Sequence, residues 1–123
     1  MIYKKNAQNR VLSQLMFSKP VELKDFHCHC DSTLCHFTLI SDSLPDKIAL
    51  IKERSPSNLI MTSAYRCQSH NKKVGGVDKS FHTIGEAVDL YPEDSNVDDL
   101  YKLMSLYFDV VIKYATFVHG HNK

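Results

Sequence analysis

The sequence predicts an α+β fold, a small antiparallel sheet flanked by two or three helices. Three observations lead there. Two or three stretches repeat apolar residues at helical spacing, and three or four short segments are apolar or alternate as strands do. No regular strand–helix–strand succession joins them, as a parallel sheet would require.

Taken in order, residues 7–18 set Val11, Leu12, Leu15 and Met16 on one side of a short amphipathic helix, which Pro20 stops. Residues 26–38 read as an irregular loop rich in Cys and His. Ser43 caps a firmer helix with Pro45 in its first turn. Leu44, Ile48, Leu50 and Ile51 form its apolar stripe, and Ser55-Pro56-Ser57 ends it. Leu59-Ile60-Met61-Thr62 is a short apolar run that predicts a buried strand. Residues 66–79 are polar and include Gly75-Gly76, a loop with room for one helical turn. Ala87 to Tyr91 alternates as a strand and ends at Pro92. A helix follows over Val97–Tyr107, with Val97, Leu100, Leu103 and Met104 inward. Asp109–Ile112 and Phe117–His119 predict two closing strands joined by a tight turn.

The chain has 123 residues, the size of one domain, which we read as residues 1–123 with 1–25 as an N-terminal extension. At that size roughly two thirds of the unfolded surface is buried on folding. The 15 basic and 14 acidic residues leave a net charge of +1, with no basic stripe of the kind that nucleic acid or an anionic membrane attracts. We therefore expect no nucleic-acid partner and no membrane partner, and a monomer. No apolar run approaches the roughly 18 residues of a membrane-spanning helix. The basic start followed by Val11–Phe17 is too short and interrupted for an export signal, so a cytoplasmic protein without a signal peptide is expected.

Four cysteines and seven histidines carry the unusual chemistry. Cys28, Cys30 and Cys35 crowd together with His27, His29 and His36 among them, while Cys67 stands apart. In a reducing compartment such a cluster points to metal or free thiols more than to disulfides. Cys28, Cys30, Cys35 and Cys67 would make a closed structural metal site if the 26–38 loop packed beside Cys67. The spacing is not the usual two-knuckle one, and buried small hydrophobes or a Cys30–Cys67 disulfide are the competing readings. A nucleic-acid-binding knuckle over Cys28–His36 is disfavoured by the charge balance.

The second constellation is Ser80-Phe81-His82-Thr83-Ile84-Gly85-Glu86-Ala87-Val88-Asp89. His82 and Asp89 lie too far apart for one helical turn, but a loop can bring the histidine to a strand that carries the aspartate. His119, at the end of a later strand, could add a third ligand. Two histidines and one carboxylate with a position left for water make catalytic zinc geometry. On these residues alone, His82 as a surface side chain and Asp89 as a turn former compete well.

Ser63-Ala64-Tyr65-Arg66, His70-Asn71, Val74-Gly75-Gly76 and the Ser80–Asp89 segment, followed by Val118-His119, closely resemble a zinc peptidase family. Its members are D-alanyl-D-alanine carboxypeptidases, D-Ala-D-Ala dipeptidases and phage L-alanyl-D-glutamate endolysins, which share the hedgehog/DD-peptidase fold. The likeness spans about residues 43–121 and is nearest the small phage-type branch. The resemblance implies Zn2+ as cofactor, with His82, Asp89 and His119 as its ligands, and peptidoglycan stem peptide as substrate. It also implies that Ser80 hydrogen-bonds the peptide and that Arg66 grips a carboxylate or the oxyanion, a task suited to its planar fork. An ion pair that merely holds its loop is the other reading of Arg66. Asn71, Gly75 and Gly76 would shape the loop. An endolysin of this kind would meet the wall when the host lyses.

One part of the pattern is missing. The family places a general-base carboxylate near the third histidine, either three residues before it or at the end of the preceding strand. Here those positions hold Thr116 and Lys113-Tyr114, none of them a base at neutral pH. Asp109, Glu86 or Glu93 could replace it, His121 could act as the base, or the protein binds zinc without hydrolysing peptides. Val118-His119-Gly120-His121 also presents two histidines on one face of an extended segment, so His121 competes with His119 as ligand.

Overall fold

A computed structural model of the chain describes residues 1–14 and 19–122. It has the α+β architecture expected. The elements in chain order are β1 (Ile2–Lys4), β2 (Phe37–Leu39), α1 (Leu44–Arg54), β3 (Leu59–Ser63), α2 (Gln68–Lys73), β4 (Ala87–Pro92), α3 (Val97–Met104), β5 (Val110–Lys113) and β6 (Val118–His121). Single 3-10 turns occupy Leu23–Phe26 and Phe81–Ile84. β1 and β2 form an antiparallel ribbon, and the other four strands an antiparallel sheet in the order β3-β4-β6-β5.

One face of this sheet is the core. Val88 and Leu90 of β4 and Val118 of β6 alternate onto it and are fully buried. They join Ile48 and Ile51 of α1, Leu100 and Met104 of α3, and Val21, Leu23 and Phe26 from the N-terminal segment. The stripes read in the sequence for α1 and α3 face this core, except that Ala49 rather than Leu50 joins it. Alternation sends Asp89 and His119 to the opposite face, so the rule that builds the core also delivers two polar side chains to one surface.

Two expectations are corrected. Residues 7–14 are not helical, and residues 15–18 lie outside the described residues. Leu12 N–H donates to the Val21 carbonyl at 2.8 Å, Leu23 N–H donates to that of Arg10 at 2.8 Å, and Val11 bridges Glu22. Backbone pairing between residues 10–12 and 21–23 satisfies these groups in place of a helix that would have been short and marginal. β3 is not a buried strand but an edge strand. Its residues alternate, and Ile60 is 42% exposed. The short apolar run did not distinguish an edge from a centre.

Candidate metal centre and cleft

Asp89 and His119 are direct cross-strand partners in the β4–β6 register. Opposed residues on antiparallel strands hold their Cβ atoms about 5 Å apart, which brings a short carboxylate and an imidazole into contact. His82 arrives from the 3-10 turn before β4. Ser80 starts that turn, its Oγ accepting from the His82 backbone N–H at 3.2 Å, and Gly85 ends it in the left-handed region at φ 76°. A Cβ on Gly85 would fall 2.3 Å from the Leu39 carbonyl oxygen, so only glycine makes this close approach.

The three donor atoms form a small triangle. Asp89 Oδ1 lies 2.8 Å from His119 Nδ1 and 3.2 Å from His82 Nε2, and the two ring nitrogens are 3.2 Å apart. A tetrahedral zinc with bonds of about 2.0–2.1 Å has donor–donor edges of about 3.3 Å. The donor set and its spacing fit that ion. His82 Nδ1 lies 2.6 Å from the Ala64 carbonyl oxygen, which can only accept, so the proton sits on Nδ1. In neutral His82 the Nε2 lone pair then faces the Asp89 carboxylate. Two electron-rich atoms at this distance need a cation between them, either a second proton on His82 or a metal. Fixing a ligand histidine through its other nitrogen is how metal sites set tautomer and orientation. Burial opposes ionisation of Asp89, but hydrogen bonds from His119 and His82 hold its carboxyl down to about 2.

His82 and Asp89 are buried, while His119 opens onto a cleft of about 460 Å³. Arg66, Ser80 and His121 line the same cleft. No ion pair ties Arg66 to a carboxylate among the described residues, and its buried Nε has no hydrogen-bond partner. Its backbone N–H donates to the His82 carbonyl at 3.1 Å, linking the arginine loop to the ligand turn. Ser80 uses Oγ as an acceptor in capping the turn, which leaves its hydroxyl proton for another partner. Asn71 donates from Nδ2 to the Val77 carbonyl at 2.9 Å and crowds against Gly76, where a Cβ would fall 2.1 Å from its Oδ1. Both residues shape the loop over the cleft, as expected.

His121 Nδ1 is 2.7 Å from His119 Nε2, on the side away from Asp89 and His82, and its ring stacks on Phe81 at 4.0 Å between centroids. It therefore sits behind His119, outside the triangle. Burial and the neighbouring His119 and His82 lower its pKa against the opposing pull of Asp109, which disfavours the imidazolium form. Asp109, Glu86 and Glu93 do not line the cleft; Asp89 is the sole carboxylate among the described residues that do. The sequence reading overlooked Phe81 as the stacking partner of His121, the Ala64 carbonyl, and the Tyr114–Phe117 ring stack at the cleft rim. Backbone acceptors and ring stacking leave no spacing signature, though Tyr114 and Phe117 bracket a predicted turn.

The cysteines gather elsewhere. Sγ of Cys67 lies 3.8 Å from those of both Cys28 and Cys30, and with Cys35 all four sulfurs fall within 4.8 Å of one another. His29 and His36 stand outside this group. All four cysteines are free thiols.

The fold and the triangle define a class: an α+β protein whose cleft floor carries a donor set that could hold a divalent cation. The chain belongs to the Peptidase M15 family, whose model matches residues 20–119. These are zinc metallopeptidases, and both fold and donor set agree with membership. No curated protein and no solved structure matches the chain.

Proposed function

We propose that this chain is a zinc-dependent peptidase that hydrolyses amide bonds of peptidoglycan stem peptides, as a carboxypeptidase or endolysin of the phage type. His82, Asp89 and His119 are its ligands. The observation that carries this reading is the donor triangle open to a cleft beside the unpartnered Arg66. When bound, zinc supplies Lewis-acid polarisation of the scissile carbonyl and acidifies water to a pKa of about 7.

The chain's own residues do the rest. Arg66 donates to a substrate carboxylate or to the oxyanion, and Ser80 donates its free proton to the peptide. His119, with Nδ1 given to the metal, carries its proton on Nε2 and donates to His121 Nδ1. His121 is then the tautomer with its proton on Nε2. In this state it is a donor to the cleft, suited to a developing oxyanion, rather than a base. Made in the cytoplasm as a monomer, the enzyme reaches the wall when the host lyses.

A second reading is favoured by one observation: no further carboxylate lines the cleft among the described residues. A chain lacking a general base, a loss of about 10²- to 10⁴-fold, would serve as a zinc-binding module for wall peptide or a protein partner. A cell-wall zymogram with an Asp89→Ala control separates the two. Clearing by wild type that the substitution abolishes supports the peptidase. Clearing that survives it sinks zinc catalysis, and no clearing by a chain with stoichiometric zinc favours the module.

A further inference from the structure

We propose that Cys28, Cys30, Cys35 and Cys67 hold a second divalent ion of the zinc class, a closed structural site that pins the N-terminal loop to the segment carrying Arg66. A tetrahedral ion with metal–sulfur bonds of about 2.3 Å has sulfur–sulfur edges of about 3.8 Å. The Cys67–Cys28 and Cys67–Cys30 separations are both 3.8 Å. Disulfide sulfurs would lie about 2.05 Å apart. Four sulfur donors without an open position describe a structural rather than a catalytic site.

The surroundings suit four thiolates. Two backbone N–H groups point at sulfur, that of Cys67 at Cys28 Sγ and that of His70 at Cys67 Sγ, each at 3.4 Å. Lys5 Nζ lies 3.5 Å from Cys30 Sγ. A divalent ion with four thiolates carries two negative charges, and these donors offset part of them. The four can all ionise together only around a cation, whose binding releases their protons.

The placement gives the site its purpose. Cys28 and Cys30 follow the Leu23–Phe26 turn, Cys35 precedes β2, and Cys67 caps α2 directly after Arg66. Beside the cluster, Tyr65 N–H donates to the Phe26 carbonyl at 3.1 Å. An ion here ties the loop that carries Cys28, Cys30 and Cys35 to the distant segment that carries Cys67, and sets where the Arg66 backbone leaves β3. The site stands independently of the peptidase reading.

The test uses the full chain, purified with its thiols reduced and loaded with Co2+ alone. We expect two cobalt ions per chain and intense near-ultraviolet thiolate-to-cobalt absorption, with thiols shielded from alkylation until a chelator is added. Asp89→Ala should lose one equivalent and keep that absorption. Cys30→Ser and Cys35→Ser, made separately, should each diminish it while the other ion stays bound. A wild-type chain without the sulfur-to-cobalt band, or with freely alkylated thiols in the presence of metal, overturns the proposal, and neither result depends on a variant folding.

Discussion

His82 donates from Nδ1 to the carbonyl oxygen of Ala64, and this one hydrogen bond of 2.6 Å decides which face of the imidazole meets Asp89. Ala64 lies just beyond β3 and His82 in the turn before β4, so adjacent strands of the sheet set the tautomer. The consequences can be measured.

Replacing His121 with alanine removes the acceptor behind His119 Nε2, 2.7 Å away, without touching the donor triangle. Loss of such an outer partner weakens metal affinity about 10- to 100-fold. Competition with a chelator should show zinc still bound at one equivalent in the cleft but with that weaker affinity. Unchanged affinity would remove His121 from the site's support.

Arg66→Ala should lower kcat/KM on a stem peptide by about 10- to 100-fold, the worth of a hydrogen bond to a charged group. Arg66→Lys should recover little, because an ammonium cannot reproduce the planar fork. Since the Nε has no partner, the urea midpoint should move little. A large stability loss with intact turnover would make Arg66 a scaffold residue instead.

Gly85→Ala forces a Cβ to within 2.3 Å of the Leu39 carbonyl oxygen at φ 76°. The left-handed backbone alone costs about 1–2 kcal/mol, and the clash adds to it. We expect a lower denaturant midpoint with little change in the slope, and weaker metal binding because His82 rides on that turn. A chain as stable as wild type would mean that the turn yields.

The metal-free chain should lose stability in strong acid. Burial raises the Asp89 pKa, but hydrogen bonds from His119 and His82 more than offset it and hold the group at about 2, below its ordinary 3.8. A depressed carboxylate stabilises the fold above its unfolded pKa, and that contribution fades as pH falls through the folded one. On the order of 2 kcal/mol should therefore disappear between about pH 4 and pH 2. Urea midpoints across that window should slope for wild type and flatten for Asp89→Asn; equal slopes would show that other groups carry the acid response.

Much of this molecule was legible in one dimension. α1 and α3 declare themselves through apolar stripes at 3.6-residue spacing: Leu44, Ile48, Ile51, Leu100 and Met104 are buried, while Leu50, Val97 and Leu103 are only partly so. His82, Asp89 and His119 stood out only because ordered motifs around them resembled a zinc peptidase family; spacing alone left them ambiguous. β1, β2 and the extended run at residues 10–12 were illegible, since three-residue strands have no period to read and form only when a distant partner supplies the ladder.

Residue types and local periodicity determined that this chain would be α+β and that it was unusually rich in histidine and cysteine. Tertiary structure alone decided which of them meet. The β4–β6 register set Asp89 opposite His119 and put His121 behind it, and loop packing carried Cys67 to three cysteines far away in sequence. Contacts between distant segments depend on strand pairing and packing of the whole chain, and no short window of sequence encodes them.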